Sequence, residues 1–63
     1  MVAGRIKQFM EDNGISQAWL ARKLDIPPAT MNGILNGNQQ LKADMFIQIC
    51  KLLRVSPEEI GGD

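Results

Sequence analysis

Apolar residues recur along this chain at intervals of three and four positions, the spacing of one helical face, and no alternating run suggests a strand. The first predicted helix covers about residues 3–12, with Ile6, Phe9 and Met10 on one face. Further helices are predicted over residues 17–24, 28–35, 43–53 and 57–60. The pattern therefore indicates an all-α protein, with five helices forming a single domain over residues 1–63.

Residues with strong local preferences mark the predicted helix ends. Gly14 and Gly37 each follow an Asn and can close a helix in the left-handed conformation. Ser16 is a favourable N-cap, and Ser56 with Glu59 has the spacing of a capping box. An apolar residue just before each of the last four helices lies five positions from another, as in a hydrophobic staple. These pairs are Ile15 with Leu20, Ile26 with Met31, Leu41 with Phe46, and Val55 with Ile60.

The composition excludes several kinds of site. A single cysteine, Cys50, cannot form an internal disulfide, and without histidine the chain has too few ligands for zinc. Cys50 also lacks a base partner, so we expect it to behave as a small buried hydrophobic residue. We expect no cofactor and no enzymatic activity. Seven basic and seven acidic residues leave no net charge, so overall basicity gives no support for nucleic-acid binding.

The chain shows no targeting or membrane-spanning segment. Its first twelve residues lack the apolar run of a signal peptide, and nowhere do about 20 apolar residues follow one another. We therefore expect a soluble protein in the reducing cytoplasm, with no membrane partner.

Several short motifs share one register with a known family. They are R-I-K-x-F from Arg5, G-I-S-Q from Gly14, L-A-x-K-L from Leu20, I-L-N-G from Ile34 and L-L-x-V-S-x-E-E-I from Leu52. Together they resemble the phage repressor and Cro type of helix-turn-helix domain. The resemblance implies a five-helix, lambda-repressor-like fold that binds double-stranded operator DNA. It also implies a homodimer with the third helix in the major groove.

The resemblance assigns base contacts to four positions of the third helix: Pro28, Ala29, Asn32 and Gly33. Pro28 and Ala29 can offer only apolar contact, for which a thymine methyl is suitable, whereas Asn32 can pair with an adenine edge. Gly33 costs about 1 kcal/mol in a helix relative to Ala. It indicates either a close backbone approach to DNA or a partner, or a tolerated surface glycine.

Phosphate contacts are expected from residues that surround the third helix. Gln17 begins the second helix, where free N–H groups and the helix dipole favour an anion. Composition alone would favour a solvated surface residue, whereas the family register favours the phosphate contact. Thr30 could bind phosphate or bond back within its own helical turn, and Asn36 could bind phosphate or only close its helix. The resemblance implies the full set Ser16, Gln17, Thr30, Asn36, Asn38, Gln40 and Lys42. With one cation among these seven, a weak non-specific affinity is expected.

Some positions differ from the family pattern. Relatives often have a buried Arg and Glu where this chain has Met10 and Leu35, so these two residues should contact each other in the core. Pro27 occupies the cap of the third helix without a side-chain oxygen. Trp19 could extend the core, be partly exposed without a role, or anchor a protein partner.

The family's dimer contacts correspond to Val55, Pro57, Glu58 and Ile60. The leading hypothesis is a sequence-specific transcriptional regulator of the Cro or repressor type. Two alternatives are the antitoxin of a toxin–antitoxin pair and a protein-interaction module on the same scaffold that does not read DNA.

Overall fold

A computed structural model describes residues 2–61, and within this range every regular element is a helix. The all-helical prediction is confirmed: the second, third and fourth helices have the predicted bounds, and the first and fifth differ by one residue at one end. Met1, Gly62 and Asp63, which the predicted domain includes, lie outside the described residues. The helices are α1 (Val2–Asp12), α2 (Gln17–Leu24), α3 (Pro28–Leu35), α4 (Ala43–Leu53) and α5 (Pro57–Gly61).

The predicted caps form at the starts of α2 and α5. The Ser16 hydroxyl accepts a hydrogen bond from the backbone N–H of Trp19 at 3.0 Å. At α5, the N–H of Glu59 donates to the Ser56 hydroxyl at 3.2 Å, and the N–H of Ser56 donates to Glu59 Oε1 at 3.3 Å. This reciprocal pair is a capping box, which fixes where α5 begins.

The start of α3 has no side-chain cap, as its sequence predicts. Pro27 lies in the extended conformation, with φ −61° and ψ 145°, and Pro28 occupies the first helical position. Proline has no N–H and its ring fixes φ near the helical value, so the first turn needs one acceptor fewer. The geometry of this turn is therefore set by the two prolines rather than by a capping oxygen.

Among residues 2–61, four helix ends use the left-handed backbone conformation, but only two of these four carry glycine. Gly14 and Gly37 adopt it with φ of 68° and 80°, as predicted. Asp25 after α2 and Arg54 after α4 adopt it with φ of 57° and 58°. Because a side chain disfavours this conformation, both residues are locally strained. The same conformation ends the helix that precedes each of them.

One apolar cluster joins all five helices. The four residues before the helix starts, Ile15, Ile26, Leu41 and Val55, pack against it as partly buried side chains, as expected of hydrophobic staples. The cluster contains no buried polar or charged residue among those described. Its members are Ile6, Met10, Leu20, Ala21, Met31, Ile34, Leu35, Ile49, Leu53 and Ile60.

The two core positions that differ from the family pattern are buried together. Met10 and Leu35 are each 2% exposed and belong to the same cluster, and α1 packs against α3. A single charge at either position would lie in an apolar core without a partner, at a high free-energy cost. The joint replacement by apolar residues is therefore consistent with the way α1 and α3 pack.

Candidate nucleic-acid interface

The helices α2 and α3 form a closely packed pair joined by the three residues 25–27. The N–H of Ile26 donates to the carbonyl of Ala21 at 3.0 Å, and that of Asp25 donates to the carbonyl of Arg22 at 3.2 Å. Together with the left-handed Asp25, these bonds form a Schellman motif that redirects the backbone after α2. Leu20 and Met31 are both fully buried in the core shared by the two helices.

The outer face of α3 carries three of the four predicted base-contacting residues. Pro28, Ala29 and Asn32 are exposed, while the opposite face of α3 contributes to the core. Asn32 is the only one of the three whose side chain has hydrogen-bonding groups. The exposed face of α3 is thus mostly apolar, with a single carboxamide at its middle.

Gly33, the fourth predicted base-contacting residue, is buried, so it is not a tolerated surface glycine. The loop that follows α3 in the same chain covers it. A Cβ atom at this position would lie 2.8 Å from Nε2 of Gln39. The Gly33 carbonyl also accepts the backbone N–H groups of Asn38 at 2.8 Å and Gln39 at 3.2 Å.

Three amide side chains from α2, α3 and the residue after α3 form a hydrogen-bonded group, which we call the amide cluster: Gln17, Asn32 and Asn36. Asn32 Nδ2 donates to Gln17 Oε1 at 3.2 Å. Asn36 Nδ2 donates to Asn32 Oδ1 at 3.0 Å and to the Asn32 carbonyl at 2.9 Å. Lys7 Nζ, from α1, donates to Asn36 Oδ1 at 2.6 Å.

The amide cluster brings the predicted base-contacting residue Asn32 against two predicted phosphate-contacting residues. Asn32 keeps one amide hydrogen and one oxygen lone pair for a further partner, since each group has two bonding positions and one is used. Within residues 2–61, Nε2 of Gln17 has no acceptor, so this donor group is available at the start of α2. Thr30 shows no hydrogen bond back into its own turn in this same range.

Asn36 is less available for phosphate than the sequence suggested. Its amide nitrogen already donates to two acceptors on Asn32, and a phosphate offers acceptors only. Lys7 lies beside it with two further ammonium hydrogens, and sequence analysis did not select it. No local pattern could have identified Lys7, because its partner is 29 residues away in the chain.

Comparison of the chain with models of protein families identifies a known domain with this arrangement of helices. A sequence model of the Cro/C1-type helix-turn-helix DNA-binding domain matches residues 5–62. The chain belongs to this family. Comparisons with curated proteins and with solved structures find no match. The five-helix fold and the α2–α3 pair are those of a Cro/C1-type domain, and the molecule is accordingly a DNA-binding protein.

The remaining predicted phosphate-contacting residues of this Cro/C1-type domain lie around α3. Ser16 is exposed just before α2, although its hydroxyl oxygen already caps that helix. Asn38, Gln40 and Lys42 are exposed in the loop between α3 and α4. The backbone of this loop is hydrogen-bonded to α3 through the Gly33 carbonyl, so the loop stays close to the end of α3.

The predicted dimer residues divide into two groups. Pro57 and Glu58 are exposed at the start of α5, and Val55 is half-buried before it. Ile60 is 4% exposed and belongs to the core of its own domain. Ile60 therefore supports α5 from inside, and any contact with a partner at this surface depends on the other three residues.

Trp19 packs against the core as a half-buried side chain, the first of the three possibilities that its sequence position allows. Lys23 Nζ lies 5.8 Å from the centre of its ring, within the range of a cation–π contact. Among residues 2–61, Ile47 is the exposed large hydrophobic residue, with 43% of its surface accessible to solvent.

Cys50 is buried on α4, as its sequence context predicts. Burial raises the pKa of its thiol above the ordinary value of 9.0, because the thiolate loses hydration. Residues 2–61 contain no group of three or more side chains able to hold a metal ion. No helix in the same range is long and apolar enough to cross a membrane.

Proposed function

We propose that this Cro/C1-type domain is a sequence-specific transcriptional regulator that binds operator DNA as a dimer, with α3 in the major groove. The observation that carries the proposal is the amide cluster on the exposed side of the α2–α3 pair. A carboxamide at the middle of an otherwise apolar helix face matches an adenine next to thymine methyl groups. A binding role of this kind requires no catalytic group.

In this proposal, base recognition depends on three residues. Asn32 donates to N7 and accepts from N6 of one adenine, using the two bonding positions that the amide cluster leaves open. Pro28 and Ala29 contact thymine methyl groups through their exposed surfaces. Gly33 is omitted, because its backbone is covered by the loop that follows α3.

Contacts with the DNA backbone come mainly from neutral groups. Gln17 directs its free Nε2 to a phosphate at the start of α2, where the helix dipole adds to the attraction. Ser16, Thr30, Asn38 and Gln40 supply further neutral contacts, with Lys42 as a cation. Lys7 replaces Asn36 as the donor near the end of α3, since the Asn36 amide nitrogen is already engaged.

Selection from a library of duplexes, repeated at two salt concentrations, tests sequence-specific binding directly. We expect an enriched site with an adenine at one position, and Asn32→Ala should lower the preference at that position by about 5- to 150-fold. Gln48→Ala, a change of an exposed amide on α4, is the matched control and should leave the preference intact. Absence of any preference, with no affinity at low salt, would refute the proposed function.

The dimer is proposed to form through the surface around Val55, Pro57 and Glu58. Pro57 and Glu58 border a groove of about 690 Å³, whose other walls include Leu41 and Phe46, so a second copy would cover apolar surface there. Two half-sites about 34–36 Å apart should be occupied cooperatively. Sedimentation of the domain with duplexes of varied half-site spacing measures this cooperativity. Cooperativity that does not change with the spacing would contradict the proposed dimer.

A further inference from the structure

We propose that Lys7 is a positioning residue for base recognition. Through the hydrogen bonds of the amide cluster, Lys7 sets the orientation of the Asn32 carboxamide. It thereby determines on which side Asn32 presents its oxygen and on which side its nitrogen. The inference rests on the proposed function, in which Asn32 reads a base. Lys7 lies on α1, outside the helix-turn-helix, and its Nζ contacts Asn36 Oδ1 at 2.6 Å.

The ammonium group of Lys7 can only donate hydrogen bonds. It therefore requires the oxygen of the Asn36 carboxamide to face α1, and the nitrogen to face the other way. The carbonyl of Asn32, which can only accept, requires the same orientation, because Asn36 Nδ2 lies 2.9 Å from it. Two partners of opposite type thus select one of the two possible orientations of Asn36.

The orientation of Asn36 then fixes the next two amides in turn. Of the two ends of the Asn32 carboxamide, only the oxygen Oδ1 can accept a hydrogen bond from the Asn36 nitrogen, which lies 3.0 Å away. The Asn32 nitrogen therefore faces Gln17 and donates to its Oε1 at 3.2 Å. Gln17 is left with Nε2, a donor group without an acceptor within residues 2–61. Every bond runs in one direction, from the lysine to the start of α2, and bonds in such a series polarise one another.

The consequence for recognition is a fixed order of donor and acceptor on Asn32. Its remaining lone pair lies on the side of Asn36, and its remaining hydrogen lies on the side of Gln17. Adenine presents an acceptor at N7 and a donor at N6, so a carboxamide held in one orientation matches it in only one way. Without Lys7, the carbonyl of Asn32 alone selects the orientation of Asn36, so the reversed orientation costs less free energy and Asn32 presents the reversed order part of the time.

Binding to the selected duplex, and to versions with each other base at the position read by Asn32, tests the role of Lys7. We expect Lys7→Met to lower the adenine preference about three- to tenfold, part of the about 5- to 150-fold that a bidentate pair supplies. Lys7→Arg should retain the preference, since guanidinium also only donates. Lys51→Met removes one exposed cation from α4 and should leave the preference unchanged.

A combined variant distinguishes positioning from a separate effect of each side chain. If Lys7 acts through Asn36, adding Lys7→Met to Asn36→Ala should cause no further loss of preference. Additive losses, or an unchanged preference with equally reduced affinity for every duplex, would show that Lys7 only contacts phosphate and would overturn the proposal. Thermal unfolding of each variant identifies any loss of folded domain.

The free protein offers a second readout that does not depend on DNA. We expect Lys7→Met to shift the side-chain amide NMR signals of Asn36, Asn32 and Gln17, while Lys51→Met leaves them in place. Unshifted Asn32 and Gln17 signals would overturn the inference even if the domain binds DNA specifically. Shifted signals in a domain that shows no base preference would refute the proposed function, and the role of Lys7 in recognition with it.

Discussion

Single residues on the exposed side of α3 have roles that depend on neighbours far away in sequence. Asn32 is the proposed base-reading residue, because among Pro28, Ala29, Asn32 and Gly33 only its side chain has hydrogen-bonding groups. Its bond to Gln17 joins positions 15 residues apart, and the bond from Lys7 to Asn36 joins positions 29 apart. Local patterns determine helices, but these contacts exist only once α1, α2 and α3 have packed.

Gly33 illustrates the same difference between local and long-range information. The free-energy cost of glycine in a helix predicted a structural reason for it, and the structure shows the Gln39 side chain 2.8 Å from where a Cβ atom would lie. The sequence could not identify that neighbour, since the loop's path depends on the hydrogen bonds that Asn38 and Gln39 make to the Gly33 carbonyl.

Gly33→Ala tests how firmly this loop is held. The clash involves the end of a flexible, exposed side chain, so we expect Gln39 to move aside. The helix then gains up to about 1 kcal/mol, because Ala is a better helix former than Gly. Chemical denaturation measures the difference, and Gln39→Ala alone is the control. Destabilisation that persists in the Gly33→Ala, Gln39→Ala double variant would show that the backbone itself is crowded.

Cys50 should make the stability of the domain decrease at alkaline pH. Its thiol pKa is raised in the folded protein by burial, so the folded state favours the protonated form. This contribution of the thiol to the free energy of unfolding is fully present below its pKa of 9.0 in the unfolded chain. It is lost as the pH rises through the higher pKa of the folded protein. Denaturation from pH 7 to 10 should show a steeper loss for the wild type than for Cys50→Ala. Parallel curves would exclude this contribution.

At the scale of the helices, the sequence determined the boundaries because each is set by a few adjacent residues. Ser16, Pro28 and the Ser56–Glu59 capping box mark three helix starts, and all three features appear in the structure. The ends of α2 and α4 carried no such signal. Asp25 and Arg54 close them in a conformation that glycine usually supplies.

Arg54→Gly should stabilise the domain. The left-handed conformation of Arg54 costs about 1–2 kcal/mol, and part of that gain is offset by the greater freedom of glycine in the unfolded chain. We expect a net gain of about 0.5–1 kcal/mol, or an increase in Tm of about 2–8 °C. Lys51→Gly, within α4, is the matched control and should lower the stability by about 1 kcal/mol. Equal effects at both positions would contradict the strain at Arg54.

At the scale of the whole molecule, the charge balance predicts an unusual dependence of DNA binding on salt. The chain has no net charge, and the proposed interface contains only Lys7 and Lys42 as cations. A dimer then neutralises about four phosphates and should show a slope of log K against log salt no steeper than about −4. Titrations from low to moderate salt measure this slope. A value of about −7 or steeper would mean that further cations of the domain contact the backbone.

The amide cluster also affects how the proposed DNA contacts respond to acidity. Carboxamides and the Thr30 hydroxyl do not change protonation between about pH 5 and 9, and the chain contains no histidine. The neutral groups proposed to touch DNA therefore keep their donors and acceptors across this interval. The proposed base contacts should therefore keep their preference when the surroundings acidify, whereas a contact made through an imidazole would change its preference.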